Sequence, residues 1–138
     1  MCNNTNNDAC KCIAEILEVI NVLQQNACPG NTCLDTCDRA FLGCGTTSLN
    51  CNTRPITIYL CNGTELSMPT TKDPSEPVTT SSVFRVEKVD GCCATLRVLA
   101  QSTEGSTYPY TATNSFFTLN INCVCCLKCL SDTYVEGI

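Results

Sequence analysis

The sequence predicts a mainly β fold, a small antiparallel β-sandwich with one N-terminal amphipathic α-helix and a Cys-rich loop between them. Three observations lead there. Apolar residues recur at helical spacing only once, near the start of the chain. From Arg54 onward, β-branched and aromatic residues alternate with polar ones, and Asn-Gly and Asp-Gly pairs break the runs where hairpins turn. Between these regions lie Cys28, Cys33, Cys37, Cys44 and Cys51, set among Gly, Asn, Thr and Asp with few hydrophobic residues. Such a stretch is expected to need cross-links for order.

Residues 1–8 read as a flexible polar, Asn-rich arm, and residues 9–138 as a single domain. Asp8 is a candidate N-cap, because its carboxylate can accept from the free amides of a first helical turn. Ile13, Ile16, Leu17, Ile20, Leu23 and Ala27 then form an apolar stripe, and Cys28-Pro29-Gly30-Asn31 ends the helix. At 100° per residue, Cys10 and Cys12 fall on opposite edges of that stripe, placed to reach different neighbours.

The first strand is read at Arg54–Cys61, with Pro55 tolerated at its beginning. Asn62-Gly63 is expected to turn it back into Thr64–Met68, and residues 69–80, with three prolines, form an exposed loop. The clearest hairpin runs from Ser82 to Ala100 around Asp90-Gly91. A two-residue turn there pairs Val89 with Cys92, Arg85 with Leu96 and Val83 with Val98. Arg85 and Glu87 then share a face and can neutralise each other, with Phe84, Val86, Cys93 and Thr95 on the other. The adjacent Cys92 and Cys93 point to opposite sides, so one can serve the core and the other an interface. A last strand is read at Ser115–Asn122, running on into Cys123–Leu130.

Fifteen cysteines in 138 residues exceed the roughly 8–10 % that marks a disulfide scaffold. An odd count leaves at least one sulfur for another molecule if all others pair. There is no histidine, which removes the usual general base and the commonest metal ligand. Cys–His and Ser–His pairs cannot be built, and the carboxylates fall mostly in loops, so no catalytic residues are assigned. The net charge of −5, with eight scattered Lys and Arg, argues against nucleic acid as a partner. No run approaches the ~20 apolar residues of a membrane span. The first residues lack the basic and apolar regions of a secretory signal, which sets a disulfide-rich chain in a reducing cytoplasm.

Cys123-x-Cys125-Cys126-x-x-Cys129 is the densest thiol cluster. Cys126 and Cys129 have the spacing of half a zinc site, with Cys10 and Cys12 or Cys33 and Cys37 as the other half. No standard finger spacing is present, and structural cross-linking explains the cluster better. No metal or cofactor is expected. A small zinc-binding or thiol-buffering protein is the alternative reading.

Three segments carry a likeness to a known family: Asn52-Thr53-Arg54-Pro55-Ile56 with Tyr59; Val83–Val89 followed by Cys92-Cys93-Ala94-Thr95-Leu96; and Cys123-Val124-Cys125 with Cys129-Leu130. In these the chain resembles the CotY/CotZ/ExsY family of spore crust and exosporium proteins. Val124 and Cys126 depart from the residues usual there. The resemblance implies a structural protein of the spore surface, made in the mother-cell cytoplasm. It also implies self-assembly, as hexamers tiling into a two-dimensional lattice hardened by disulfides, alongside other spore coat proteins. On this reading Cys2, Cys10 and Cys12, on the arm and the early helix, are the candidate intermolecular cysteines. Cys93, Cys123 and Cys125, in strands, are the candidate fold-internal ones.

Overall fold

A computed structural model describes residues 10–25, 51–73 and 78–138. The fold is mainly β and antiparallel, with one helix near the N-terminus. Helix α1 spans Lys11–Gln25, and the strands are β1 (Ile56–Leu60), β2 (Met68–Pro69), β3 (Thr80–Ser81), β4 (Phe84–Asp90), β5 (Cys93–Gln101), β6 (Tyr110–Asn120) and β7 (Val124–Cys129). Five strands form one sheet in the order β6-β5-β4-β1-β7, while β2 and β3 pair as a separate ribbon. Asp8, Ala27 and the cysteines from Cys28 to Cys44 lie outside the described residues.

Alternation along each strand divides the sheet into two faces. Ile56, Ile58, Phe84, Val86, Ala94, Leu96, Val98 and Leu119 form the apolar face, and Leu17 and Ile20 of α1 pack into the same core. The buried stripe of the helix is Cys10, Ala14, Leu17, Ile20 and Gln24, in steps of three and four. Gln24 ends it with two buried hydrogen bonds, donating to Val86 O at 2.8 Å and accepting from Arg54 N–H at 3.0 Å. The helix is thereby tied to the sheet by polar contacts as well as by its apolar side. Phe84 meets Phe117 edge to face at 5.0 Å.

The central hairpin forms in a different register from the one expected. Its two-residue loop is Gly91-Cys92, so Asp90 faces Cys93, Val89 faces Ala94, Arg85 faces Arg97 and Phe84 faces Val98. Gly91 takes the positive φ, +61°, that the first turn position needs. Cys92 is held in the turn by a bond to Cys10, and an irregularity between Val86 and Lys88 resets the ladder. The shift moves Cys93 and Thr95 off the apolar face and onto the face of Arg85 and Arg97.

Two further expectations change in detail. The first turn is a three-residue loop, Cys61-Asn62-Gly63, closed by Leu60 N–H donating to Thr64 O at 2.9 Å, with Gly63 at φ +87°. The run from Ser115 to Leu130 is not one strand. A 3-10 turn at Ile121–Cys123, capped by the Asn120 side chain, carries the chain from one end of the sheet to the other, where β7 pairs with β1. Capping by Asn120 replaces the ladder bonds that a continuing strand would have made.

Candidate cross-linking site

The segments that carry the family likeness meet in space. Arg54 is 2 % exposed and forks onto Asp132, with Nε to Oδ1 at 2.7 Å and Nη2 to Oδ2 at 2.9 Å. Arg85 donates Nε to Thr53 Oγ1 at 3.0 Å and Nη1 to Glu87 at 2.8 Å, and Glu87 also accepts from Arg97 Nε at 2.9 Å. Asn52 clasps the Val135 backbone with both ends of its amide, and Leu130 N–H donates to Pro55 O. The neutralisation of Arg85 by Glu87 is thus present, with Arg97 as a third member. These carboxylates are consumed by structure: each accepts from a guanidinium that is itself buried or partly buried. The cluster locks the C-terminal segment to the start of β1.

The sulfurs sort by layer. Cys10 is 3 % exposed and bonded to Cys92, with Cα atoms 5.8 Å apart. This corrects the expectation that Cys10 reaches a neighbouring molecule: its sulfur is consumed pinning the helix start to the hairpin turn. Its phase, four residues before Ala14 and seven before Leu17, is the sequence signal for burial. Cys61 and Cys125 are bonded at a Cα separation of 4.8 Å, fastening the first turn to β7. Cys123 and Cys129 are disulfide-bonded as well.

Cys12, Cys93 and Cys126 are exposed, unbonded thiols. The assignment of Cys93 to the fold interior is therefore also corrected, because the hairpin register turns its side chain to solvent. Cys12 faces outward from the helix layer. Cys93 and Cys126 share the opposite, polar face of the sheet, where Cys126 sits across from Tyr59 and Cys93 across from Asn120. Both are free thiols, so they are not bonded to each other. Cys2 lies outside the described residues.

Around Cys126, the charge of Glu65, some burial, a hydrogen bond to Glu65 and the thiol itself raise the Tyr59 phenol above its ordinary pKa. Tyr59 therefore stays neutral beside Cys126 through the physiological range. Among the described residues no group of three or more His, Cys, Asp or Glu is placed to hold a metal ion. No helix there is long and apolar enough to cross a membrane.

Comparison with known proteins gives one result. Residues 1–111 match the family model described as spore coat protein Z. No curated protein and no solved structure matches the chain.

Proposed function

We propose that this chain, which belongs to the spore coat protein Z family, is a self-assembling structural subunit whose copies build a disulfide-hardened two-dimensional lattice in the outer spore layer. Family membership itself carries a structural role in the coat and a place at the spore surface. The lattice, its hexagonal symmetry and its other coat-protein partners belong to the proposal. One observation carries it: the sulfurs divide into bonded ones that hold the fold and exposed ones that face outward from opposite layers. An exposed thiol with no bonded sulfur among the described residues is available to a second molecule. Assembly comes first, through non-covalent contacts available in a reducing cytoplasm. Disulfides then cure the layer when the spore meets oxidising surroundings.

The test is a denaturing gel of air-exposed protein beside electron microscopy of the same sample. Without reductant, the protein is expected to give a ladder or to stay in the well, and with strong reductant a single band near 14.9 kDa. A clean monomer band in both lanes, with no sheets on the grid, overturns the reading. Elemental analysis separates it from the zinc-binding alternative. About one zinc per chain, lost together with the fold on chelation, favours that alternative.

A further inference from the structure

The geometry points to the outer edge of β6 as the non-covalent contact between copies, two chains pairing antiparallel about a two-fold axis at Thr118. This rests on the assembly reading above and names the surface that performs it. Strand β6 ends the sheet, with β5 on its inner side. Ile121 donates its N–H to Cys92 O at 2.8 Å, and this sets the phase of the ladder. Phe117 and Leu119 turn their backbone groups toward β5, while Phe116, Thr118 and Asn120 turn theirs outward. Among the described residues nothing pairs with that outward row. The irregularity opposite Arg97–Leu99 bounds it at one end and the 3-10 turn at Ile121 at the other.

An open row of this kind is a template for another strand, and proteins normally guard it with charge, proline or a cover. Here the cover is confined to the far end of the strand, where Thr111 bridges Glu136, and the row from Phe116 to Asn120 has none among the described residues. Residues 105–127 contain no Asp, Glu, Lys or Arg, in a chain of net charge −5. Two like-charged copies approach with least repulsion along this neutral edge. The outward set is symmetric about Thr118, so an antiparallel pair places Thr118 opposite its counterpart and Phe116 opposite Asn120, with the side chains of all three exposed. Thr118 then exchanges both backbone hydrogen bonds with its counterpart, while the Asn120 carbonyl, as cap of the 3-10 turn, already accepts within its own chain. A two-fold, self-complementary contact closes after two copies and leaves other surfaces to extend a lattice. In that pair the Cys93 side chains stand several residues and three strand spacings apart, too far to bond each other. They stay available for a different neighbour.

The test uses the full chain with its exposed thiols alkylated under native conditions, which leaves internal disulfides intact. Association is read by sedimentation. Wild type is expected to associate. Thr118→Glu and Thr118→Lys, at an exposed position whose N–H makes no bond within the sheet, are each expected to keep the fold and weaken association by at least about tenfold, since each puts like charges face to face. A one-to-one mixture of the two variants is expected to associate again. Association of each variant alone at wild-type strength overturns the edge contact, and so does failure of the mixture to recover. Wild type that assembles only when its thiols are left free also overturns it, while the assembly reading stands. Wild type that forms nothing in any redox state overturns the assembly reading itself.

Discussion

The two edges of the five-stranded sheet are built in opposite ways. At one edge, β7 is six residues long, carries Lys128 and is bordered by bonded sulfurs: Cys125 to Cys61 within it, with Cys123 and Cys129 also in disulfides. The buried Arg54–Asp132 fork sits just beyond its end. At the other, β6 is eleven residues long and has neither a charged residue nor a cysteine. One edge is fastened to its own chain by sulfur and buried charge, and the other is bridged only at Thr111 to Glu136 and is otherwise open among the described residues. The bonded cysteines lie where the fold is held, and β6, the strand proposed to pair with a second copy, contains none. If β6 recognises a second copy, covalent strength and non-covalent recognition are separated along one sheet.

The largest expected effect comes from breaking the fastened side at its buried charge. Asp132→Ala removes the carboxylate that the buried Arg54 guanidinium forks onto, and breaking such a pair costs about 3–5 kcal/mol. Chemical denaturation is expected to show that loss at neutral pH. A change under about 1 kcal/mol means water reaches Arg54 and the C-terminal latch is not what holds β7. Next in size is removal of the Cys10–Cys92 bond, which spans 82 residues of sequence. Replacing both by Ala is expected to cost about 2–4 kcal/mol, mainly through the freedom returned to the unfolded chain. The β6 edge should still associate, because the ladder from Leu96 to Asn120 does not depend on the helix being pinned. Loss of association in a still-folded double variant ties the two edges together and breaks the contrast.

A smaller change lies on the open side. Phe116, 47 % exposed, lies with its ring 4.4 Å from the Arg97 guanidinium carbon. Phe116→Ala is expected to cost the fold only about 0.5–1 kcal/mol, the worth of an exposed cation–π contact. Its effect on association should exceed that, since the side chain borders the open edge. Equal small effects on both would mark Phe116 as ordinary surface.

Much of this was legible before the structure, and what was not has a common cause. The helix, the β1 turn and the Val83–Ala100 hairpin follow from local periodicity and from Gly at two turns. The hairpin's register slipped because Asp90-Gly91 and Gly91-Cys92 are both acceptable loops. The observed loop puts Cys92 in the turn, where it bonds Cys10, 82 residues away in sequence. The same bond decided which of Cys10 and Cys12 is inside, although the four-residue step to Ala14 pointed the right way. The Arg54–Asp132 fork joins positions 78 apart. No local pattern announces it, for Asp132 reads as one more polar residue near the terminus. The split of Ser115–Leu130 into β6 and β7 was hidden because Asn120 and Asn122 suit a strand face as well as a cap. Local chemistry specified the elements, and long-range bonds chose among their alternatives.

The smallest effect on the fold should accompany a decisive change in the material. Cys12, Cys93 and Cys126 are exposed and make no bond inside the chain, so Ser at these positions removes no packing and leaves no polar atom stranded. With Cys2→Ser added for the N-terminal arm, folding stability is expected to stay within about 0.5 kcal/mol of wild type, as for surface substitutions generally. Sheets should still form, because the β6 edge contains no sulfur. Their resistance should not survive: hot detergent without reductant is expected to dissolve the variant sheets to single chains and leave oxidised wild-type sheets intact. No sum of edge hydrogen bonds, each worth about 1 kcal/mol net, replaces covalent continuity under denaturant. If the fourfold variant stays monomeric from the outset, cross-links build the layer instead of curing it, and the division of labour between the two edges is wrong. If its sheets resist detergent as wild type does, other sulfurs do the joining, and the exposed thiols of the described layers are bystanders.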